Sequence, residues 1–451
     1  MRAYAEGKIQ DWIAAVGLMT QIAWKEPQAA FSGLTLSLQG EWTFLQRVLP
    51  GVDCYFAPLA EAIRDHFIPA LFGFTGLPSW TKTIASLPIR WSGIGLRSPE
   101  VWAADAFHTS LHCTKHLQDS LLDNREGFSL SAHKDSMAAG KKARERRVDL
   151  TCERARELVM EDFQLNEGLK RALDRGKDTG SWLAAVPLHK DGTALSALEF
   201  RDGLALRFQH EPIHLPPQCD GCGMRATLDH VLNCHKGGAV IMRHNEIRDA
   251  LGQLSATAFT PSAVRSEPLI NPGSAAEVVN NVEGPDGTSV ERDSFAFGGS
   301  NERGDVLVRG LWAPQTDCVI DVRVTDSDSR SQRHMDVPKV LLKHERAKKS
   351  QYLLPCLEQR RHFSPFVCSV DGVLGREATA VLRRLGRAIA PKWDMPFSKV
   401  MAYIKTQISL AILRAAHHCI RGSRIPAKAM SIGTGPFEDG AGLLLNRQHT
   451  F

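Results

Sequence analysis

Apolar residues recur at helical spacing along most of this chain and alternate with polar ones in only a few short runs. Residues 1–130 read as helices interrupted at "LPGVD" and "FTGLPSW", where Pro and Gly break the pattern. The opening "MRAYAEGKIQDWIAAVG" is the start of an amphipathic helix, whereas "LPIRWSGIGLRSP" (87–99) reads as a turn or short strand. Residues 131–182, which include "HKDSMAAGKKARERRV", keep helical propensity but lose the apolar stripe. That predicts a basic helical linker or exposed arm. "LEFRDGLALRFQHEP" predicts a helix ending before Pro212.

Further along, "RHNEIRDALGQLSATAF" (243–259) is an amphipathic helix with Ile247, Leu251 and Leu254 on one face. Residues 271–304 are rich in Gly, Asn, Ser and Asp and predict a long loop. Two strand-like runs follow, "GDVLVRG" (304–310) and "DCVIDVRVTD" (317–326). Helical patterns then run over 338–358, 374–390 and 398–420. Helix, strands, then helices predict a small mixed α/β domain, and residues 426–451 form a tail.

A length of 451 residues exceeds one ordinary core, so several domains are expected. No apolar run reaches the ~18 residues of a membrane span, and the N-terminus lacks the features of a signal peptide. Of ten cysteines, seven are scattered singly and read as reduced thiols in the nucleus or cytoplasm. The net charge is only +5, but its distribution matters more. "KKARERRVDLTCERAR" (141–156) sets seven Lys/Arg against three acids, and basic clusters recur in "KHERAKK" and "RRLGR". This predicts a polyanionic partner, DNA or RNA.

The other three cysteines fall in "CDGCGMRATLDHVLNC". Zn²⁺ takes thiolate and imidazole ligands tetrahedrally, and a two-residue gap lets Cys219 and Cys222 reach one ion. His230 and Cys234 are four apart and share a face of a short helix; His235 is the alternative to Cys234. Gly221 and Gly223 suit the tight turn. Such a short module has little core, so a structural zinc would supply much of its folding energy. Chemistry of another kind is suggested by the two strands. Asp305 opens the first, and Asp321 and Arg323 lie two apart on the second, hence on one face. Two carboxylates at strand ends beside a cation are the minimum for a Mg²⁺-dependent nuclease: acids for the metal, a cation for the phosphate.

The order of these pieces resembles the C-terminal part of a non-LTR retrotransposon reverse transcriptase polyprotein, in the class with a restriction-like endonuclease. The order is the Cys/His knuckle, "RHNEIRD", "EP" (267–268), the "GD…DVRVTD" strand pair, "ERAKKSQY" and "FSPFVCSVDGVLGREA" (363–378). Upstream, "FSGLTLSLQGEWTFLQRVLPGV" (31–52) and "LPIRWSGIGLRSPEVWAADAF" (87–107) are similar to the segment that follows the polymerase palm in such elements. The polymerase's own Tyr/Phe-x-Asp-Asp turn is missing, which implies that the chain does not polymerise and that a polymerase domain is supplied elsewhere.

The resemblance implies a multidomain fold. A mostly α, thumb-like region would span 1–130, a basic helical linker 131–182, a linker with the zinc knuckle 183–240 and a mixed α/β restriction-endonuclease-like domain 241–425. It assigns Asp305 and Asp321 as Mg²⁺ ligands, although Gly304 precedes the first where the family has Pro. Arg323 stands where the family has Lys, and Lys348 or Lys349, followed by Tyr352, would take that lysine's place from the next helix. Glu267, or Glu246, would be a third ligand. The implied activity is Mg²⁺-dependent nicking of target DNA to prime reverse transcription. The alternative is a catalytically inert nucleic-acid-binding remnant, which the departures at Gly304 and Arg323 keep open.

Overall fold

In a computed structural model the chain is described over residues 2–122, 127–163, 165, 167–270 and 302–425. The 426–451 tail and nearly all of the expected 271–304 loop lie outside the described residues. The described chain is mostly helical with one small mixed sheet. No described helix is long and apolar enough to cross a membrane.

The N-terminal lobe begins with α1 (Arg2–Ala23), which buries Ala5, Ile9, Trp12 and Val16 at spacings of four, three and four. Around it lie α2 (Pro27–Gly33), α3 (Gln39–Val48), α4 (Ala57–Glu61), α5 (Ile68–Phe72) and α6 (Ser79–Ala85). Trp12 stacks on Phe56 at 6.3 Å and meets the edge of Trp42 at 6.2 Å. The "LPIRW" segment is a 3₁₀ turn over Ile89–Trp91, not a strand.

The basic stretch expected to be a linker is instead built into this lobe. Long helices α7 (Pro99–Leu122) and α8 (Leu130–Asp162) run antiparallel as a hairpin. Helix α8 needs no wide stripe, because it buries only Gly140, Cys152 and Val159. A Cβ at Gly140 would lie 2.6 Å from Cys113 Sγ, so glycine sets the close approach of the two helices. Asp105, on α7, holds Arg147 Nε at 2.6 Å and Arg144 Nε at 3.3 Å. Two helices that complete the lobe are α9 (Glu167–Gly176) and α10 (Ala197–Phe208), the latter started by a Ser196/Glu199 capping box. One hydrophobic core therefore runs from Ala5 to Phe208.

His210 follows α10 and packs among Phe72, Trp80 and Phe208, and burial pushes its pKa down to about 4. It is thus neutral in the fold, while an unfolded His binds a proton near 6.5. Its contribution is complete above that pH and is lost as pH falls toward 4, by up to about 1.4 kcal/mol per unit. Urea melts at pH 7 and pH 5 should show this loss, and a His210→Gln protein should show less of it. Equal slopes for the two proteins would refute the assignment.

The second lobe follows the short helix α11 (Leu228–Asn233) and comprises α12 (Ala239–Ala258), β1 (Val264–Ser266), β2 (Val306–Arg309), β3 (Asp317–Thr325), α13 (Val337–Glu358), β4 (His362–Ser369), α14 (Arg376–Lys392) and α15 (Phe397–Arg421). The sheet order is β1-β2-β3-β4; the first two pairings are antiparallel, and β3–β4 is parallel with α13 as the crossover. Cys318, Ile320 and Val322 face a core with α12, α14 and α15, while Val319 packs with Tyr352, Cys356 and Phe363 under α13. Strand β4 escapes sequence detection because Pro365 interrupts it, a residue tolerated on an edge strand.

The lobes are tied by Arg175 of α9. Its Nε is 2.6 Å from Asp371 Oδ2, and its other nitrogens grip Asp328, which Arg171 also holds. Arg175 is 5% exposed, so Arg175→Met would strand carboxylates in the interface. The expected loss is on the order of 3–5 kcal/mol, seen as a lower unfolding midpoint. An unchanged midpoint would mean that water replaces the guanidinium.

Candidate metal and carboxylate sites

The Cys/His knuckle is a short hairpin followed by α11. Cys219 N–H donates to Met224 O at 2.8 Å and Gly223 N–H to Cys219 O at 2.8 Å, with Gly223 at φ +75°. This turn brings both thiols to one centre, Cys219 buried and Cys222 exposed. Thr227 caps α11 by accepting the His230 N–H at 3.2 Å, and the helix then presents His230 with Cys234 just past its end. The four ligand atoms lie within 4.8 Å of one another. Sγ–Sγ separations are 3.8 Å for Cys219–Cys234 and 3.9 Å for Cys222–Cys234, and Cys222 Sγ is 3.2 Å from His230 Nε2. Four ligands at about 2.3 Å around a tetrahedral Zn²⁺ put sulfurs about 3.8 Å apart, so the spacing fits. Burial acts to raise the Cys219 thiol, yet hydrogen bonds from His230 and from backbone N–H groups bring it down to about 6, which favours the thiolate a metal needs. His235 is exposed and takes no part.

This knuckle is not free-standing. Leu228, Val231 and Leu232 pack with Ala416, Cys419 and Ile420 of α15. Arg424 donates to Val231 O at 2.8 Å, and its N–H reaches Asp220 Oδ2 at 2.8 Å. Gly221 serves this contact more than the turn, since a Cβ there would come 2.6 Å from Arg424 Cβ.

On the sheet, Asp305 sits one residue before β2. Its N–H donates to Ile320 O at 3.0 Å, and its Oδ2 accepts the Val322 N–H at 2.6 Å. Asp305 therefore brackets Asp321, the residue between those two, across one strand gap of about 4.8 Å. Asp321 is 5% exposed. Its Oδ2 has Lys348 Nζ at 2.7 Å but no aligned hydrogen bond. Burial raises the Asp321 pKa; the Lys348 ammonium opposes this and the Asp305 charge adds to it. Lys348 also lies 5.1 Å over the Tyr352 ring. Burial, then the charges of Asp321, Glu302 and Asp305, raise the Tyr352 pKa.

The other expected residues are elsewhere. Lys349 points away and pairs with Glu377 at 2.5 Å. Glu267 is turned by a left-handed backbone (φ +51°) onto Arg248 Nη1 at 2.7 Å. Glu246 makes no ion pair among the described residues, and Arg323 is exposed without one. In place of Glu267, the structure brings in His244, whose Nε2 lies 3.1 Å from both Asp305 Oδ2 and Val322 O. The Asp305 hydrogen bond raises its pKa above the ordinary value despite burial. The sequence carried a weak signal for it: His244 lies one helical turn before Ile247, at the half-buried edge of the stripe that Ile247, Leu251 and Leu254 form, where a titratable residue gains from a partner.

No protein-family model matches this chain, and no curated protein does. The sites therefore rest on geometry and on the sequence resemblance. A Cys₃His cluster able to hold a metal such as zinc is present among the described residues.

Proposed function

We propose that the second lobe is a Mg²⁺-dependent DNA endonuclease and that the chain is the endonuclease and nucleic-acid-binding portion of a non-LTR retrotransposon protein. The observation that carries this reading is Asp305 bracketing Asp321, with Lys348 Nζ at 2.7 Å. The fit to a cation is supported by Asp321 Oδ2, a buried oxygen without an aligned donor. Asp305 and Asp321 would hold the metal, which would polarise the phosphate and lower the pKa of a nearby water. Lys348 stabilises the negative charge that builds on the phosphate as the water adds. His244 orients Asp305, and the exposed Arg323 meets the approaching DNA backbone. The product is a nick whose 3′-hydroxyl primes reverse transcription by a polymerase domain supplied elsewhere.

A catalytically inert nucleic-acid binder is the second reading. It is favoured by the Glu267–Arg248 pair, which withholds the expected third carboxylate. Incubation of supercoiled plasmid with the full chain decides between them. Nicking that needs Mg²⁺ and stops with EDTA supports the enzyme; tight binding with no nicking across divalent metals supports the inert binder.

A further inference from the structure

The N-terminal lobe concentrates positive charge where three helices meet. A cavity of about 310 Å³ is lined by Arg90, Arg97 and Arg144 with one acid, Glu145, and by Pro88, Trp102 and Val148. A second, of about 230 Å³, is lined by Arg47, Thr109, Ser110, Thr114, Lys141 and Arg144. Arg144 lines both, so the two cavities adjoin and make one basic groove region along α7 and α8, with Arg47 of α3 at one end. Trp102 and Val148 supply an apolar wall, and Thr and Ser hydroxyls line the far end. Arg144 shares Asp105 with Arg147, and Arg90 pairs with Asp149 at 2.7 Å. Arg47, Arg97 and Lys141 have no ion-pair partner among the described residues. Arg97 is exposed and lines the first cavity. Partial burial, then the like charges of Arg144 and Arg47, lower its pKa against the pull of Asp105.

Cations that outnumber the acids beside them repel one another, and a polyanion relieves that repulsion. We propose that this groove binds the sugar-phosphate backbone of a nucleic-acid strand, with Arg47, Arg97 and Lys141 each contacting phosphate. The choice of ligand rests on the reading that the chain handles nucleic acid, but the groove is separate from the carboxylate site and its binding needs no cleavage. The spacing of charges along two linked pockets suits a repeating phosphate better than a single anion. It also corrects the simplest expectation for the basic arm, because Arg144 and Arg147 are already engaged by Asp105.

The test is fluorescence anisotropy of the full chain in EDTA, so that nuclease activity plays no part. The probes are labelled single strands of DNA and RNA and a duplex, each about 20 nucleotides, longer than a typical ~4–16 nucleotide site. An Arg47→Gln/Arg97→Gln/Lys141→Gln protein should bind about tenfold or more weakly at low salt. The slope of log affinity against log salt should flatten by about 2 for single strands, from three lost phosphate contacts at ~0.7 each. The arms tell which nucleic acid is preferred. Arg47→Lys/Arg97→Lys should keep the slope, and Lys25→Gln/Lys190→Gln/Arg383→Gln, which removes three exposed charges elsewhere, should barely change it. An unchanged slope in the groove variant overturns the proposal. So does an equal loss in the control, or displacement by poly-glutamate as effective as by oligonucleotide. Nicking lost with groove binding intact sinks only the nuclease reading, and the reverse result sinks only this one.

Discussion

Asp305→Ala and Asp321→Ala should each reduce Mg²⁺-dependent nicking below detection. The two carboxylates face one strand gap, and one of them has a buried oxygen without an aligned donor. Removing either halves the carboxylates that anchor the ion and weakens its hold beside the phosphate. Lys348→Ala should slow nicking about 10²–10³-fold, the loss typical of one preorganised group facing a developing oxyanion. Lys349→Ala should change the rate little, because that ammonium is spent on Glu377. DNA binding should stay within about threefold in both aspartate variants, since neither removes positive charge. Asp321→Ala also leaves the Lys348 ammonium, 18% exposed, without its partner. Asp321→Asn keeps the shape and tests whether lost activity reflects lost folding. Gel assays of nick rate and thermal melts are sufficient. Full activity in Asp305→Ala would exclude this site, and joint loss of folding, binding and nicking would make the aspartates structural.

The other large effect should follow loss of the metal at the knuckle. Elemental analysis should find about one zinc per chain, bound through Cys219, Cys222, His230 and Cys234. Apparent binding energies of structural zinc modules are about 10–16 kcal/mol, so a metal-free knuckle should unfold locally. The damage should spread, because α11 packs on α15, which spans both the second-lobe core and the contact with Arg424. Cys222→Ser should therefore lose the metal and lower the melting temperature, and a chelator should do the same to the wild type. His235→Ala should retain zinc, since that side chain is exposed and outside the ligand set. A wild-type protein that folds equally well and contains no metal would rule the site out.

Local features of this chain were legible in its sequence. The Cys₃His set is marked by ligand types at three- and four-residue spacings, each of which puts two ligands within reach of one ion, and the four atoms do come together. The alternation in 304–310 and 317–326 marks β2 and β3, and the stripe at Ile247, Leu251 and Leu254 marks α12, because periodicity reports which side is buried. Partner choice over longer separations was decided by the tertiary structure. Lys348 and Lys349 are neighbours about 100° apart around a helix, and only the rotation of α13 against β3 puts the first on Asp321 and the second on Glu377. Glu267 is diverted to Arg248 by a backbone twist that no composition predicts, while His244 joins Asp305 across sixty-one residues. A polar 33-residue helix joined the N-terminal core because Gly140 lets it approach Cys113 and Asp105 of the facing helix holds Arg144 and Arg147. Sequence pattern determines which face of an element is apolar; packing determines which charged group on that face meets which partner.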